Sequence, residues 1–300
     1  MFTETQLEKA TNYWGKEVFD RIAQHAKVYA DKWGLTDVRF YDSYSMNAIF
    51  YCSSKTYGEC VLKIGGDDQD KEFVWEHNIL QEYNGSQYIR MHASDIDLEK
   101  RKKVMLLERV SPGDELSCEP SLDKRLAVFS ELFKKMHVQP ANIAIYKKYS
   151  EGVDDNLNTI SKRMECRDLS EHMAKARDIF VTIASTYTQE VLLHGDLQYH
   201  NILKRDDETY AIIDPQGRIG DPIFDIPRYL LVECYNMSED HRDEQMNYII
   251  EYLAKSLKIP SKIIRQCFYI EITSFECWCA SVGDYDINHV TFAEKIMTAE

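Results

Sequence analysis

Apolar residues recur along the first third of the chain at two different spacings. Leu7, Trp14, Val18 and Ile22 keep helical spacing within residues 4–33 and predict one or two amphipathic helices. The period then shortens. Val38–Tyr41, Ala48–Cys52 and Glu59–Ile64 predict three strands, separated by Asp42–Asn47 and by a turn ending in Gly58. Helical spacing returns at Gln69–Tyr83, where Phe73, Leu80 and Tyr83 share a face and Asn84-Gly85 supplies a stop. Gln87–Met91 and Lys103–Arg109 predict two more strands. Beyond the turn-rich Ser111-Pro112-Gly113 the pattern is mainly helical: Ser121 is an N-cap candidate for a helix carrying Leu122, Leu126, Phe129, Leu132, Phe133 and Met136. Further helices are predicted over Glu151–Lys162, Ser170–Tyr187, Glu239–Leu257, Ser261–Ala280 and Val290–Ala299. No repeat of fixed period interrupts this order. The expectation is an α+β architecture of two lobes, β-rich over 1–110 and helical over 111–300.

Composition narrows the partners. A formal charge of −14 over 300 residues argues against nucleic acid, which needs a basic face. No apolar run approaches the length of a membrane span, and Met1-Phe2-Thr3-Glu4 lacks the start of a secretory signal, so cytoplasmic residence without membrane attachment is expected. The eight cysteines show no disulfide framework and suit a reducing compartment. Cys277-Trp278-Cys279 lacks a second pair at zinc spacing and is expected to be ordinary helix.

The chemistry concentrates in an island of strand-like and turn-like sequence between helices. Val191-Leu192-Leu193 leads into His194–Asn201, followed by Ile202-Leu203-Lys204 and then Ala211-Ile212-Ile213, which ends in Asp214-Pro215-Gln216-Gly217. Two apolar strands around a polar loop predict a hairpin with Asp196, Asn201 and Asp214 at one edge. Phosphoryl transfer needs such groups: Asp196 as the carboxylate that takes the proton of the attacking hydroxyl, Asn201 and Asp214 as the oxygens that hold Mg²⁺ on the phosphates. Singly, each has a plainer explanation as turn residue, cap or strand end. Together and in this order they favour the chemistry.

His194–Asn201 resembles the catalytic loop of the aminoglycoside phosphotransferase superfamily, whose fold is the two-lobed one of protein kinases. Ile213-Asp214-Pro215 looks like that superfamily's counterpart of the kinase metal-binding segment. Gln216–Asp225 is similar to the form seen in the streptomycin 6-kinase and hydroxyurea-resistance branch. The resemblance is strongest over Val191–Tyr229. It implies that Lys63, in Val61-Leu62-Lys63-Ile64, grips the α/β-phosphates and that Glu76 orients it, with Glu72 and Glu82 as competitors. It also implies that backbone groups near Glu108 and Val110 meet the adenine at a hinge. Asp42–Asn47 departs from the kinase pattern in having no glycine, so Ser45, Met46 or Asn47 would replace the glycine-rich loop, which leaves ATP or GTP open as the nucleotide. His194 and His200 are expected to shape the loop through its backbone.

The acceptor is legible only as charge. From Ile226 to Glu300 there are twelve acidic against seven basic residues, and none basic lies between Arg265 and Lys295. Glu271, Glu276, Trp278 and, nearer the loop, Asp225 are candidate acceptor contacts for a cationic, polyhydroxylated molecule such as an aminoglycoside. An acidic solvated face with core aromatics explains the same pattern. Three readings follow: an aminoglycoside phosphotransferase; a metabolic kinase of a sugar, amino alcohol or hydroxy amino acid; or a catalytically silent nucleotide-binding protein.

Overall fold

The computed structural model describes residues 1–42, 45–66, 71–83 and 85–299, and the chain divides into two compact units. The first is Met1–Asp114 with Leu203–Ile213; the second is Glu115–Ile202 with Asp214–Glu300. The sequence boundary at 110/111 therefore falls slightly early, and it misses that 203–213 folds with the first unit.

In the first unit, α1 (Glu4–Trp14) opens on a capping box in which Thr3 and Gln6 satisfy each other's backbone. It is followed by α2 (Lys16–Trp33). Strands β1 (Leu35–Phe40), β2 (Asn47–Ser54) and β3 (Gly58–Gly65) follow, then α3 (Glu72–Tyr83), β4 (Met91–Asp97) and β5 (Lys102–Glu108). All five strands pair antiparallel in the order β1-β2-β3-β5-β4. Alternate residues of β2 point into a core made with α2, in which Ile22, Ala26 and Tyr29 meet Phe40, Phe50, Leu62 and Leu106. Gln69 and Asn84, the expected start and stop of α3, lie outside the described residues, as do Ser43 and Tyr44 of the Asp42–Asn47 segment.

One strand moves. Residues 87–90 form no strand: Tyr88 makes a single bridge to Ile212 and stacks on Tyr83 at 3.9 Å between ring centres. Its apolarity reflects burial of a link. The strand is β4, whose His92–Asp97 run is half-buried at a sheet edge and so lacks an apolar pattern.

A short strand β6 (Pro112–Glu115) precedes α4 (Leu122–Met136), capped by Ser121 through Lys124 N–H, then α5 (Tyr149–Ile160) and α6 (Arg167–Ala184). The chemical island supplies β7 (Val191–Leu193), β8 (Ile202–Arg205), β9 (Tyr210–Ile212) and β10 (Arg218–Gly220). The expected hairpin around the loop does not form. β7 pairs with β10, and β8 pairs with β9. The reason is that Gln216 and Gly217 donate their N–H groups to His194 O, at 2.8 and 3.0 Å, and so carry β10 back onto β7.

Four helices complete the second unit: α7 (Ile226–Tyr235), α8 (Arg242–Leu257), α9 (Ser261–Ser281) and α10 (Ile287–Thr298). The pattern did not predict α7, because Pro227 reads as a breaker, yet proline in a first turn lacks only an N–H that has no helical partner anyway. Helix α9 is the hub, packed against α5, α6, α7, α8 and α10. Cys277 and Cys279 are helix residues of α9, and burial pushes their thiols up to about 12 and about 11. No helix among the described residues is long and apolar enough to cross a membrane.

Candidate functional site

The first unit holds a buried ion pair. Lys63 sits on the core strand β3 and Glu76 on α3; they are 6% and 4% exposed, and Nζ lies 2.6 Å from Oε2. Of the competitors, Glu72 is exposed and Glu82 half-buried. A lysine and a glutamate are seldom buried except as partners, and here a helix packed on the sheet aims one at the other.

The other first-unit candidates have partners of their own. Ser45 Oγ donates to Asn47 O at 2.9 Å, and Ser45 O accepts from Trp14 Nε1 at 2.9 Å. Asn47 Oδ1 is buried without a hydrogen-bond partner among the described residues. Glu108 has its N–H committed to Arg90 O at 2.8 Å and its carboxylate clamped by Arg205. Burial pushes the Glu108 carboxyl up, but the Arg205 guanidinium and the Arg90 N–H outweigh it and hold the acid below its ordinary range. Val110 is buried, and its carbonyl lies where a Cβ on Gly113 would come within 2.8 Å, so only glycine fits at that turn, where φ is +80°.

The second unit holds the loop. Asp196 is held from one side: its Oδ2 accepts from Gln198 Nε2 and from Asn201 Nδ2, each at 3.2 Å. Asn201 Nδ2 also donates to Asp196 O at 3.0 Å, closing the loop on itself. No hydrogen-bond donor among the described residues meets Asp196 Oδ1. The Arg228 guanidinium approaches it, with Nε 3.3 Å away.

One buried carboxylate shapes this loop. Asp225, 1% exposed, accepts from His194 N–H through Oδ2 and from Gly195 N–H through Oδ1, both at 2.9 Å, and lies 3.0 Å from His137 Nε2. Gly195 takes φ +82° to present that N–H, a conformation costly to any side chain. His194 Nδ1 accepts the N–H of Asp196 at 3.1 Å, so that ring nitrogen carries no proton. His200 instead turns to Glu115, at 2.5 Å. Asp214 follows β9 with φ +56°, a left-handed conformation that aspartate tolerates and that recurs at functional sites.

These groups suit magnesium. Asn201 spends its amide hydrogens on Asp196 and leaves Oδ1 without a donor among the described residues, an oxygen ligand of the right kind. Among the described residues no cluster of three or more His, Cys, Asp or Glu side chains makes a self-sufficient metal cage. Magnesium needs none, since it takes one or two protein oxygens and completes its shell with phosphate and water.

The acceptor candidates fare differently. Glu271 is 7% exposed and reaches Arg228 Nη2 at 2.9 Å, which links it to Asp196. Glu276 is 2% exposed and fully engaged, accepting from Tyr235 Oη, from His289 Nδ1 and from the Asp286 N–H at 2.5, 2.8 and 2.8 Å. Burial and the Glu276 carboxylate push the Tyr235 phenol far up. Asp225 is spent on the loop. Trp278 is 59% exposed. Sequence reasoning missed Gln198, His137 and Arg228; the signal for Arg228 was a lone cation in an otherwise apolar run, Ile226–Val232.

Comparison with known proteins adds a family and a fold. A model of the aminoglycoside/hydroxyurea antibiotic resistance kinase family matches residues 37–283. Streptomycin 6-kinase of Streptomyces griseus is 24% identical over 149 residues, 49% of this chain and 47% of that protein. The chain thus matches about half the length of that curated relative. A ternary complex of an aminoglycoside phosphotransferase, APH(4)-Ia, with AMP-PNP and hygromycin B superposes with a TM-score of 0.64 at 13% identity, covering 91% of this chain and 96% of that one. Choline kinase LicA from Streptococcus pneumoniae gives 0.61 at 12% identity, with 92% and 100% covered. At such identities the likeness is one of fold.

Proposed function

We propose that this chain, which belongs to the aminoglycoside/hydroxyurea antibiotic resistance kinase family, transfers the γ-phosphoryl group of Mg²⁺-ATP to a hydroxyl of a small molecule. The observation that carries the proposal is the one-sided hold on Asp196. Two amide donors fix Oδ2 and leave the lone pairs of Oδ1 for the acceptor's hydroxyl proton. The acceptor oxygen gains nucleophilicity as Asp196 takes that proton, a contribution of about 10²–10⁴ in rate for a well-placed base.

The other roles follow from what each group has left to offer. Lys63, paired with Glu76, supplies the ammonium for the α/β-phosphates. Asn201 Oδ1 and the Asp214 carboxylate would hold Mg²⁺, which would neutralise charge on the phosphates when bound. Ser45 and Asn47 take the place of a glycine-rich loop, and the Val110 backbone meets the adenine, since Glu108 N–H is already committed. GTP remains the alternative nucleotide. All eight cysteines are free thiols, which agrees with work in the cytoplasm.

An aminoglycoside-type antibiotic is the acceptor the family favours. A second reading has its own support: of the carboxylates meant for ammonium groups, Glu271 is paired with Arg228, and Glu276 is buried and occupied by hydrogen bonds from Tyr235, His289 and the Asp286 N–H. That favours a polyhydroxylated acceptor with little charge, such as a sugar. The test is Mg²⁺-ATP turnover against aminoglycosides, sugars, amino alcohols and hydroxy amino acids. Saturable, Asp196-dependent phosphorylation of one class supports the proposal; nucleotide binding with no transfer to any class contradicts it.

A further inference from the structure

Arg228 has no need to be where it is for the sake of packing. It interrupts a buried apolar stretch in which Ile226, Pro227, Tyr229, Leu230 and Leu231 all enter the core. Burial works against its charge, yet Glu271 and Asp196 hold the proton on and push it above its ordinary range. Its three contacts come from one helix and one loop: Asp196 Oδ1 at 3.3 Å from Nε, Glu271 Oε1 at 2.9 Å from Nη2, and the Phe275 ring centre at 5.7 Å. Glu271 and Phe275 are four residues apart on α9 and so share a face.

The geometry of the Asp196 contact is informative. Arginine often meets a carboxylate side-on with two parallel hydrogen bonds. Here the guanidinium approaches Oδ1 with Nε at 3.3 Å, and that buried N–H reaches no acceptor with hydrogen-bond geometry among the described residues. Its other end is drawn away by Glu271. The result places positive charge beside the base without covering the oxygen that is to accept a proton.

We propose that Arg228 is a positioning residue for Asp196, held off from a bidentate pair by Glu271 and Phe275, so that Oδ1 stays oriented and open toward the acceptor. This rests on the reading of Asp196 as the base. The torsion that turns a carboxylate is broad, so Gln198 and Asn201 on Oδ2 leave the plane of the group loosely set. A cation beyond Oδ1 adds a second restraint on that plane. Losing Glu271 frees Arg228 to close onto Asp196 and cover it; losing Arg228 removes the restraint itself.

The test is a double-substitution cycle, Arg228→Ala and Glu271→Gln, with Arg228→Lys as the conservative variant. It is read by steady-state kinetics and, independently of turnover, by the Asp196 carboxylate orientation in crystals of each variant. Arg228→Ala is expected to lower kcat about 10–100-fold, the range for a small misplacement of a reacting group, with KM for ATP within about twofold. Arg228→Lys recovers part of the loss. Glu271→Gln lowers kcat in the wild-type background and costs nothing further in Arg228→Ala. In crystals, Arg228→Ala turns the carboxylate away from its present orientation, and Glu271→Gln brings the guanidinium side-on to it. An unchanged orientation in both variants, or kcat losses that simply multiply, would overturn the proposal. If wild-type protein transfers no phosphate, the kinase reading fails, and the crystals alone still decide the role of Arg228. If Arg228→Ala does not melt cooperatively, Arg228→Lys and Glu271→Gln carry the same comparison.

Discussion

The two units hold their charged groups by opposite devices. In the first, Lys63 and Glu76 are a principal pair, side chain to side chain, each presented by a regular element. In the second, Asp225 serves several donors at once, two of them backbone N–H groups, and Asp196 is positioned by the loop that results. A pair aims one charge along one direction. A carboxylate under a loop fixes the path of the chain, and the working group inherits its position. The first device suits a cation that must reach out to a phosphate, the second a base whose angle must be set.

The comparison can be broken in order of expected effect. Asp225→Ala should be the most damaging, because it strands two backbone donors and the partner of His137 in the interior; a loss of about 3–5 kcal/mol in urea unfolding is expected. A loss below about 1 kcal/mol would mean that the loop holds its own shape. Lys63→Met leaves Glu76 buried without its ammonium and should cost about 3 kcal/mol or more, while Lys63→Met with Glu76→Leu should regain most of the stability and none of the nucleotide affinity. Recovery of ATP binding in that double variant would deny Lys63 its role. Asp214→Ala should leave the melting temperature nearly unchanged and weaken Mg²⁺-dependent nucleotide binding about tenfold or more, measured by calorimetry with and without the metal. Retention of full Mg²⁺-dependent affinity would refute the metal role.

The smallest effect is a pH dependence. Glu108 titrates lower in the folded protein than the unfolded value near 4.3, so its stabilising contribution is present above that pH and fades as pH falls through the folded value. The gap in melting temperature between wild type and Arg205→Ala should be open at pH 7 and narrow below about pH 4. A gap that stays constant would show that Arg205 acts through packing alone.

The same contrast explains what the sequence made legible. Regular elements with a clear period, such as α2, β2 and α4, were readable because one face is buried and the other is not. Lys63 and Glu76 were reachable only through the family resemblance, since β3 is buried on both faces around Lys63. Asp196, Asn201 and Asp214 were marked by order and spacing within one short island. What escaped depends on contacts between distant parts of the chain: β7 pairs across 25 residues with β10, residues 203–213 fold with the first unit, and Glu271 is taken by Arg228. Composition counted Glu271 and Glu276 as charge available to a ligand. Burial and pairing spend that charge inside the fold, and no local pattern records it.

The central claim is that Asp196 acts on the acceptor's proton and has little part in holding the nucleotide. Asp196→Asn keeps the shape of the side chain and removes its basicity, so the decisive measurement is kcat beside the dissociation constant for Mg²⁺-ATP in that variant. The account predicts a fall in kcat of about 10²-fold or more with nucleotide affinity within a few-fold of wild type. Undiminished turnover would contradict it.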